Sequence, residues 1–278
     1  MRRETRKAKW REGNSFVWTV SSDDERERGE RIRMAKKLDL LKVLRSYDKT
    51  ATLFVNGAID PRKPFPDLWA RIWNGSLLRF CVDGGANRLH LECRKEILKL
   101  PTVVSGDLDS IQEAAREYFA EKSKIVYTHD QMETDLTKSL RLVAQDERIQ
   151  RAELDFVVLL GGFTGRFDHV LASLNSLLLA KRFFKIPFIA IDDINLITVL
   201  AEGEHTLQID KAMTTRVCGL IPFCQQKAIV STTGFRWDLE ERELAFGGLI
   251  STSNKVVADS VWIKTSAPLV FTIELKIP

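Results

Sequence analysis

The chain has 278 residues, 44% of them hydrophobic, which suits one large or two ordinary globular domains and excludes a disordered or fibrous polymer. Its apolar segments are interrupted by Gly, Asp or Lys well short of the roughly eighteen residues a bilayer span needs, so neither a spanning helix nor a membrane partner is expected. The formal charge of +4 is uneven: residues 1–50 carry +6 and the remaining 228 carry −2, so the basic balance belongs to the head, and no nucleic-acid partner is expected for the body.

The first 30 residues mix charges densely without an apolar period, which predicts a solvated, poorly ordered extension. The opening MRRETRKAKWREGNSF is Arg-rich, but Glu4, Glu12 and the run SSDDERERGER are the wrong composition for a transit peptide, and a cytoplasmic protein is expected. Leu38, Leu41 and Leu44 stand at helical spacing, so residues 32–44 are predicted to hold a short helix closing an extension over 1–45. From 46 to 200 the short apolar runs ATLFVNG, LLRFCVDGG, TVVSGD, KIVYTHD, LDFVVLLGG and PFIAIDD recur, most followed by helical stretches such as 112–120 and 136–143. Hydrophobicity within each run is continuous, which means burial on both faces: an α/β catalytic domain with a doubly wound, mostly parallel sheet. From 201 to 278 the segments QKAIVSTT, LAFGGLISTSN, SVWIKTS and LVFTIELKI are β-branched and aromatic, bounded by turn residues, and predict a smaller all-β, sandwich-like domain. Cys81, Cys93, Cys218 and Cys224 form no CxxC pair and have no His at metal-ligand spacing, so buried free thiols in a reducing compartment are expected.

Five of the predicted strands end in polar or glycine-rich sequence: Asn56-Gly57, Asp83-Gly84-Gly85, Gly106-Asp107-Leu108-Asp109, the stretch 130–135 and Gly161-Gly162. The carboxyl ends of parallel strands share one sheet edge, where ligands bind. Asp83 would suit an Asx turn and Asp168 a helix N-cap equally well. Asp107 and Asp109, flanking one Leu and predicted beside Asp83 and Asp135, would repel one another without a cation, and converging carboxylates are the usual Mg²⁺ arrangement. The segments DGGAN and GGFTGR let backbone N–H groups approach a polyphosphate, with Arg88, Lys138 and Arg166 nearby to supply positive charge, although neither has Walker or GxGxxG spacing.

The set DGGANR (83–88), SGDLDSI (105–111), DQMETDLTKSL (130–140), GGFTGRFDH (161–169), TTGFRWDL (232–239) and GLISTSN (248–254) resembles the thiamin pyrophosphokinase family of the eukaryotic type, in that family's order. The resemblance implies transfer of pyrophosphate from ATP to the hydroxyl of thiamine with Mg²⁺, by a homodimer whose active sites lie at the subunit interface. It implies metal-binding acids at Asp107, Asp109 and Asp135, with Asp83 as a further catalytic acid. Arg88, Gln131, Thr134, Lys138, Gly162, Arg166 and Asp168 would serve ATP and its phosphates, and Trp237, Ser253 and Asn254 the thiamine side. Where the family usually reads DQDxTD, this chain carries Met132, and Glu133 next to it is the candidate compensating acid. A different Mg²⁺-dependent phosphotransferase or nucleotide hydrolase, and a non-catalytic nucleotide or thiamine sensor, are the rival readings. A tryptophan in a β-rich segment is ordinarily core, but the polar neighbours Arg236 and Asp238 and the resemblance favour a binding role for Trp237.

Overall fold

Thr50–Phe54 (β2) is buried at every position, as a strand covered on both faces must be. It lies in a computed structural model that describes residues 36–55, 64–130, 132–151, 153–223 and 226–276; the charged head, Asn56, Gly57, Gln131 and Cys224 lie outside the described residues. Before β2 come a short strand, Lys36–Leu38 (β1), and one 3₁₀ turn, Leu40–Leu44, capped by Asp39, whose side chain accepts the Lys42 N–H at 3.0 Å. Of the helix expected over 32–44, residues 32–35 lie outside the described residues and, of the rest, only this turn is helical. It buries Leu40, Leu41 and Val43, which a short turn can do without extending the 38/41/44 stripe.

The helical half then alternates as expected. Helix α1 (Asp67–Gly75), strand β3 (Leu78–Val82), α2 (Gly85–Arg94), β4 (Val103–Gly106), α3 (Glu113–Ala120) and β5 (Lys124–Tyr127) follow in turn. After them come α4 (Asp135–Ala144), the single turn α5 (Glu147–Gln150), β6 (Phe156–Leu160), α6 (Phe167–Phe183) and β7 (Phe188–Ile191). Helix α1 buries Trp69, Ile72 and Trp73, and α4 buries Leu136, Leu140 and Val143, each an i, i+3/i+4 stripe against the sheet. The pleat divides the two cores. Phe54 and Val104 face α1, α2 and α3, while Ala51, Leu53 and Val103 face α4 and α6.

Strands β7, β6, β2, β3, β4 and β5 lie side by side in that order and parallel. The chain runs outward from β2 to β5 and then crosses to the other side of β2 to place β6, so the order reverses at β2, where an open α/β sheet forms its ligand crevice. Strand β5 is the outer edge and shows it, with no residue fully buried.

The C-terminal strands are β8 (Asn195–Leu200), β9 (Gly203–Gln208), β10 (Thr214–Pro222), β11 (Ala228–Thr233), β12 (Arg242–Leu244), β13 (Ser251–Lys255), β14 (Ser260–Thr265) and β15 (Leu269–Leu275). They are antiparallel and form two layers, but one layer is not separate. Strand β8 pairs with β7, and β15, β10 and β13 continue outward, so a single ten-stranded mixed sheet runs from β5 to β13. The second layer, in the order β1, β9, β14, β11, β12, packs Leu207, Val230, Val261 and Ile263 onto Leu220, Phe271 and Ile273 of the long sheet. Cys81, Cys93 and Cys218 are free and buried, and burial drives the thiols of Cys93 and Cys218 up to about 12, so they are inert packing groups. Among the described residues no helix is long and apolar enough to cross a membrane.

Candidate active site

The reversal of strand order at β2 leaves a pocket of about 290 Å³ between the ends of β2, β3 and β6. Val55 lines it from β2, Asp83 and Gly84 from β3, Gly162 and Thr164 from β6, Thr134 and Asp135 from the start of α4, and His169 and Ser173 from the first turns of α6. Helix α2 begins at Gly85 without a side-chain cap, so the positive end of its dipole is open toward this edge.

Three carboxylates meet here. Asp83, Asp107 and Asp135 each offer an oxygen, and all three oxygens lie within 4.8 Å of one another. Local backbone geometry forces the meeting. Asp83 sits at φ +41°, its N–H bonded to the Ser105 carbonyl at 2.8 Å. Gly106 runs at φ +153°, so close that a Cβ there would lie 2.8 Å from the Asp83 Cβ and 3.4 Å from the Asp135 Oδ1. Leu108, at φ +60°, turns the chain after Asp107. Asp135 Oδ1 accepts the Asp107 N–H at 3.0 Å and pairs with the Lys138 ammonium at 2.8 Å. Burial raises the Asp83 carboxyl above the ordinary carboxylate range, the charges of Asp135 and Asp107 push the same way, and hydrogen bonds from Gly84 and Ser110 oppose them. Its Oδ1 is buried with no hydrogen-bond partner among the described residues. An orphaned buried oxygen amid three carboxylates is the donor set a hard divalent cation requires.

Asp109 stands apart. It is exposed, accepts the Ser110 hydroxyl at 2.8 Å, and its N–H reaches Asp107 Oδ1 only at 3.4 Å. Asp168 is not an N-cap: α6 starts at Phe167, and Asp168 in its first turn holds Arg166 in a two-bond pair at 3.1 and 2.6 Å, both side chains exposed. Lys138 is only 6% exposed and spends its ammonium on Asp135 and on the carbonyls of Thr128 and Asp130, tying the β5–α4 connection to the acid cluster. Arg88 is held by Glu92 one turn along α2 at 3.2 Å, and its guanidinium lies 6.0 Å from the Phe65 ring. Thr134 caps α4 by accepting the Thr137 N–H at 3.2 Å, and Gln131 lies outside the described residues. Met132 is 93% exposed, and Glu133 forms a two-bond pair with Arg141, whose hydrogen bonds hold its carboxyl below the usual range.

Thr164, His169 and Ser173 were not singled out from sequence. Thr164 and His169 belong to the GGFTGRFDH segment, and His169 and Ser173 are four apart, so the i, i+4 spacing at a helix start was the available signal. Gly162, at φ +86°, approaches Ser173 so closely that a Cβ would fall 2.9 Å from its hydroxyl.

The residues assigned to the second substrate lie in the β half and do not line this pocket. Trp237, in the connection from β11 to β12, is 55% exposed with the Arg236 guanidinium 4.9 Å over its ring, so it is not core. Ser253 is exposed at φ +56° and lines a second hollow of about 200 Å³ with Thr272 and Glu274. Asn254 is buried behind Trp237 and bonded to its backbone.

Residues 69–189 match the family described as "Thiamin pyrophosphokinase, catalytic domain" and residues 204–270 its "vitamin B1 binding domain". The chain is 35% identical over 248 residues to thiamin pyrophosphokinase 1 of Caenorhabditis elegans, covering 87% of this chain and 96% of that one. It is 32% identical over 219 residues to thiamine pyrophosphokinase 1 of Oryza sativa subsp. japonica, covering 74% and 81%. Its fold is shared with the solved structure of thiamin pyrophosphokinase from Candida albicans, at a TM-score of 0.74 and 21% identity over 87% of this chain and 93% of that one. The yeast enzyme structure gives 0.73 at 22% identity over 89% and 93%.

Proposed function

The chain belongs to the thiamin pyrophosphokinase family of enzymes, and from that premise we propose that it transfers a pyrophosphoryl group from ATP to the hydroxyl of thiamine, yielding thiamine diphosphate and AMP. The observation that carries this reading is the convergence of Asp83, Asp107 and Asp135 within 4.8 Å beside the pocket at the β2 switch point. Asp107 and Asp135, with Asp83 beside them, would hold Mg²⁺, which supplies neutralisation of the charge on phosphate oxygens. Gly84 and Gly162 bring backbone against the phosphates, and Arg166, two residues beyond the pocket-lining Thr164 and restrained by Asp168, would supply positive charge to them. Lys138 keeps Asp135 in place. Asp83 is the candidate to accept the proton of the attacking hydroxyl, since burial has raised its affinity for a proton. The remaining task is alignment of that hydroxyl with the β-phosphorus.

Trp237 offers an exposed aromatic face to thiamine. Because no described residue beyond Ser173 lines the catalytic pocket, the reading includes a homodimer in which a second copy brings its Trp237 and Ser253 to this pocket. Cytoplasmic residence belongs to the same proposal and is supported by the three buried free thiols. The test is product analysis with ATP, Mg²⁺ and thiamine. AMP should form one for one with thiamine diphosphate; ADP or free diphosphate as the nucleotide-derived product would replace this reading with another phosphotransfer or hydrolysis.

A further inference from the structure

We propose that Asn254 is a positioning residue that acts on thiamine only through Trp237, by fixing the backbone on which the indole is carried. The inference rests on the reading of Trp237 as a thiamine contact. Asn254 is 2% exposed, and its side-chain amide is fully occupied. Oδ1 accepts the Trp237 N–H at 3.3 Å and the Lys255 N–H at 2.7 Å. Nδ2 donates to the Trp237 carbonyl at 2.9 Å and to the Ser251 hydroxyl at 3.3 Å. A side-chain amide has two donors and two acceptor sites, so nothing remains for a ligand.

The backbone places it there. Along β13, Ser251 is buried, Thr252 and Ser253 are both exposed, and Asn254 is buried again. Two successive outward residues break strand alternation, and the break is a bulge: Ser251 to Asn254 on β13 faces only Leu220 to Cys218 on β10, with Ser253 at φ +56°. The bulge turns Asn254 inward under the β11–β12 connection. That connection is held from its other side by Asp238, whose Oδ1 accepts the Phe235 N–H and the Thr232 hydroxyl, each at 3.1 Å, and whose Oδ2 accepts the Gly234 N–H at 3.3 Å. The Arg236 N–H adds a bond to the Lys255 carbonyl at 2.7 Å. On the Asn254 side the clamp is backbone and buried side chain, Asp238 closes it from the exposed side, and the indole is presented outward. A rigid backbone under an exposed aromatic ring lowers the ordering cost of stacking a ligand on it.

A double-mutant cycle on the full chain tests this. Asn254→Ala removes two bonds to the Trp237 backbone and should raise the thiamine KM by about tenfold, with the ATP KM and kcat unchanged. In a Trp237→Ala background the same substitution should change the thiamine KM by less than about twofold. If the two effects multiply in the double variant, Asn254 touches thiamine itself and the inference is overturned while the reading of Trp237 stands. If Trp237→Ala alone leaves the thiamine KM unchanged, that reading fails and takes the inference with it. Should Asn254→Ala not fold by circular dichroism, the near-isosteric Asn254→Asp, which keeps the Oδ1 acceptor but sets a charged oxygen against the Trp237 carbonyl in place of the Nδ2 donors, enters the same cycle with the same expected and overturning results.

Discussion

Gly106→Ala tests the packing that brings the acids together. The new methyl carbon would fall 2.8 Å from the Asp83 Cβ and 3.2 Å from its Cα, both parts of the main frame that no rotamer change can move away. Ordinary carbon contact is about 3.5 Å or more, so Asp83 or β4 must shift by roughly 0.7 Å. Overpacking of this kind costs about 1–3 kcal/mol. The φ of +153°, which side chains rarely adopt, adds about 1 kcal/mol or more. At about 2–4 °C per kcal/mol for a unit of this size, Tm should fall by roughly 5–15 °C. The displaced atoms carry the cluster, and an error near 1 Å at a reacting centre costs up to about a hundredfold, so kcat at saturating Mg²⁺ should drop by tens-fold. Gly203→Ala is the control: its φ is +125° but nothing lies within 4 Å of the added carbon, so it should lower Tm slightly and leave kcat intact. Calorimetry and the AMP assay read both variants. A Gly106→Ala protein with wild-type Tm and turnover would show that the close approach of β4 to Asp83 does not set the site.

Asp83→Asn should separate stability from function. A carboxyl whose folded pKa is raised contributes stability that is fully present below its unfolded pKa and lost as pH rises through the folded value, so at pH 7.5 the ion-free protein holds Asp83 ionised at a cost. The Asn variant should therefore melt higher than wild type at pH 7.5 without Mg²⁺, the advantage should vanish on acidification toward pH 4, and turnover should be lost; a lower Tm at pH 7.5 in a folded variant refutes the electrostatic account. The shared-site dimer makes a separate prediction by complementation. Asp135→Asn and Trp237→Ala, co-expressed and assayed at low thiamine, should recover roughly a quarter of wild-type activity from one intact site per mixed dimer, whereas no recovery in a mixture shown to exchange subunits excludes it.

How much of this was legible in the sequence follows from which forces are local. The inner strands β2, β3, β4, β6 and β7 announced themselves because a doubly covered strand is apolar nearly throughout, and the candidate acids because polar residues at the ends of such runs have only one edge to occupy. Strands β9 and β10 were not singled out: GEHTLQ is mostly polar and buries only Leu207, and the pleat of TTRVCGLIP is interrupted where β10 bulges against β15 between Thr214 and Cys218. The joining of β8 to β7 and β15, which makes one sheet of both halves, depends on pairings such as Leu200 with Leu269, almost seventy residues apart. No local pattern encodes such a pairing. Asp109 was singled out by its spacing from Asp107, and Lys138 by its charge near the acids. The left-handed turn at Leu108 sends Asp109 outward, and the buried stem of Lys138 directs its ammonium to carbonyls of the chain itself.

The same turn shows why the site takes this form. Three consecutive features at the ends of β3 and β4, namely Asp83 at φ +41°, Gly106 at +153° and Leu108 at +60°, lie in backbone regions that cost free energy for all but glycine. They lie where three carboxylates are pressed together and one buried carboxyl oxygen lacks a hydrogen-bond partner among the described residues. Such an arrangement persists only if its surroundings over-determine it, and they do. The Asp83 N–H is fixed to Ser105, the Thr128 N–H to the Gly106 carbonyl, Ser105 to Ser139 of α4 by a buried hydroxyl pair at 2.8 Å, and Asp135 to Lys138. Those bonds link β3, β4, β5 and α4 into one frame, so the acids cannot relax apart when no cation is bound. A site that cannot relax retains its electrostatic cost in the ion-free state, and under the proposed function a divalent ion with its phosphate would relieve that cost on binding. The backbone strain and the electrostatic cost thus have one origin, the close approach of β4 to the end of β3.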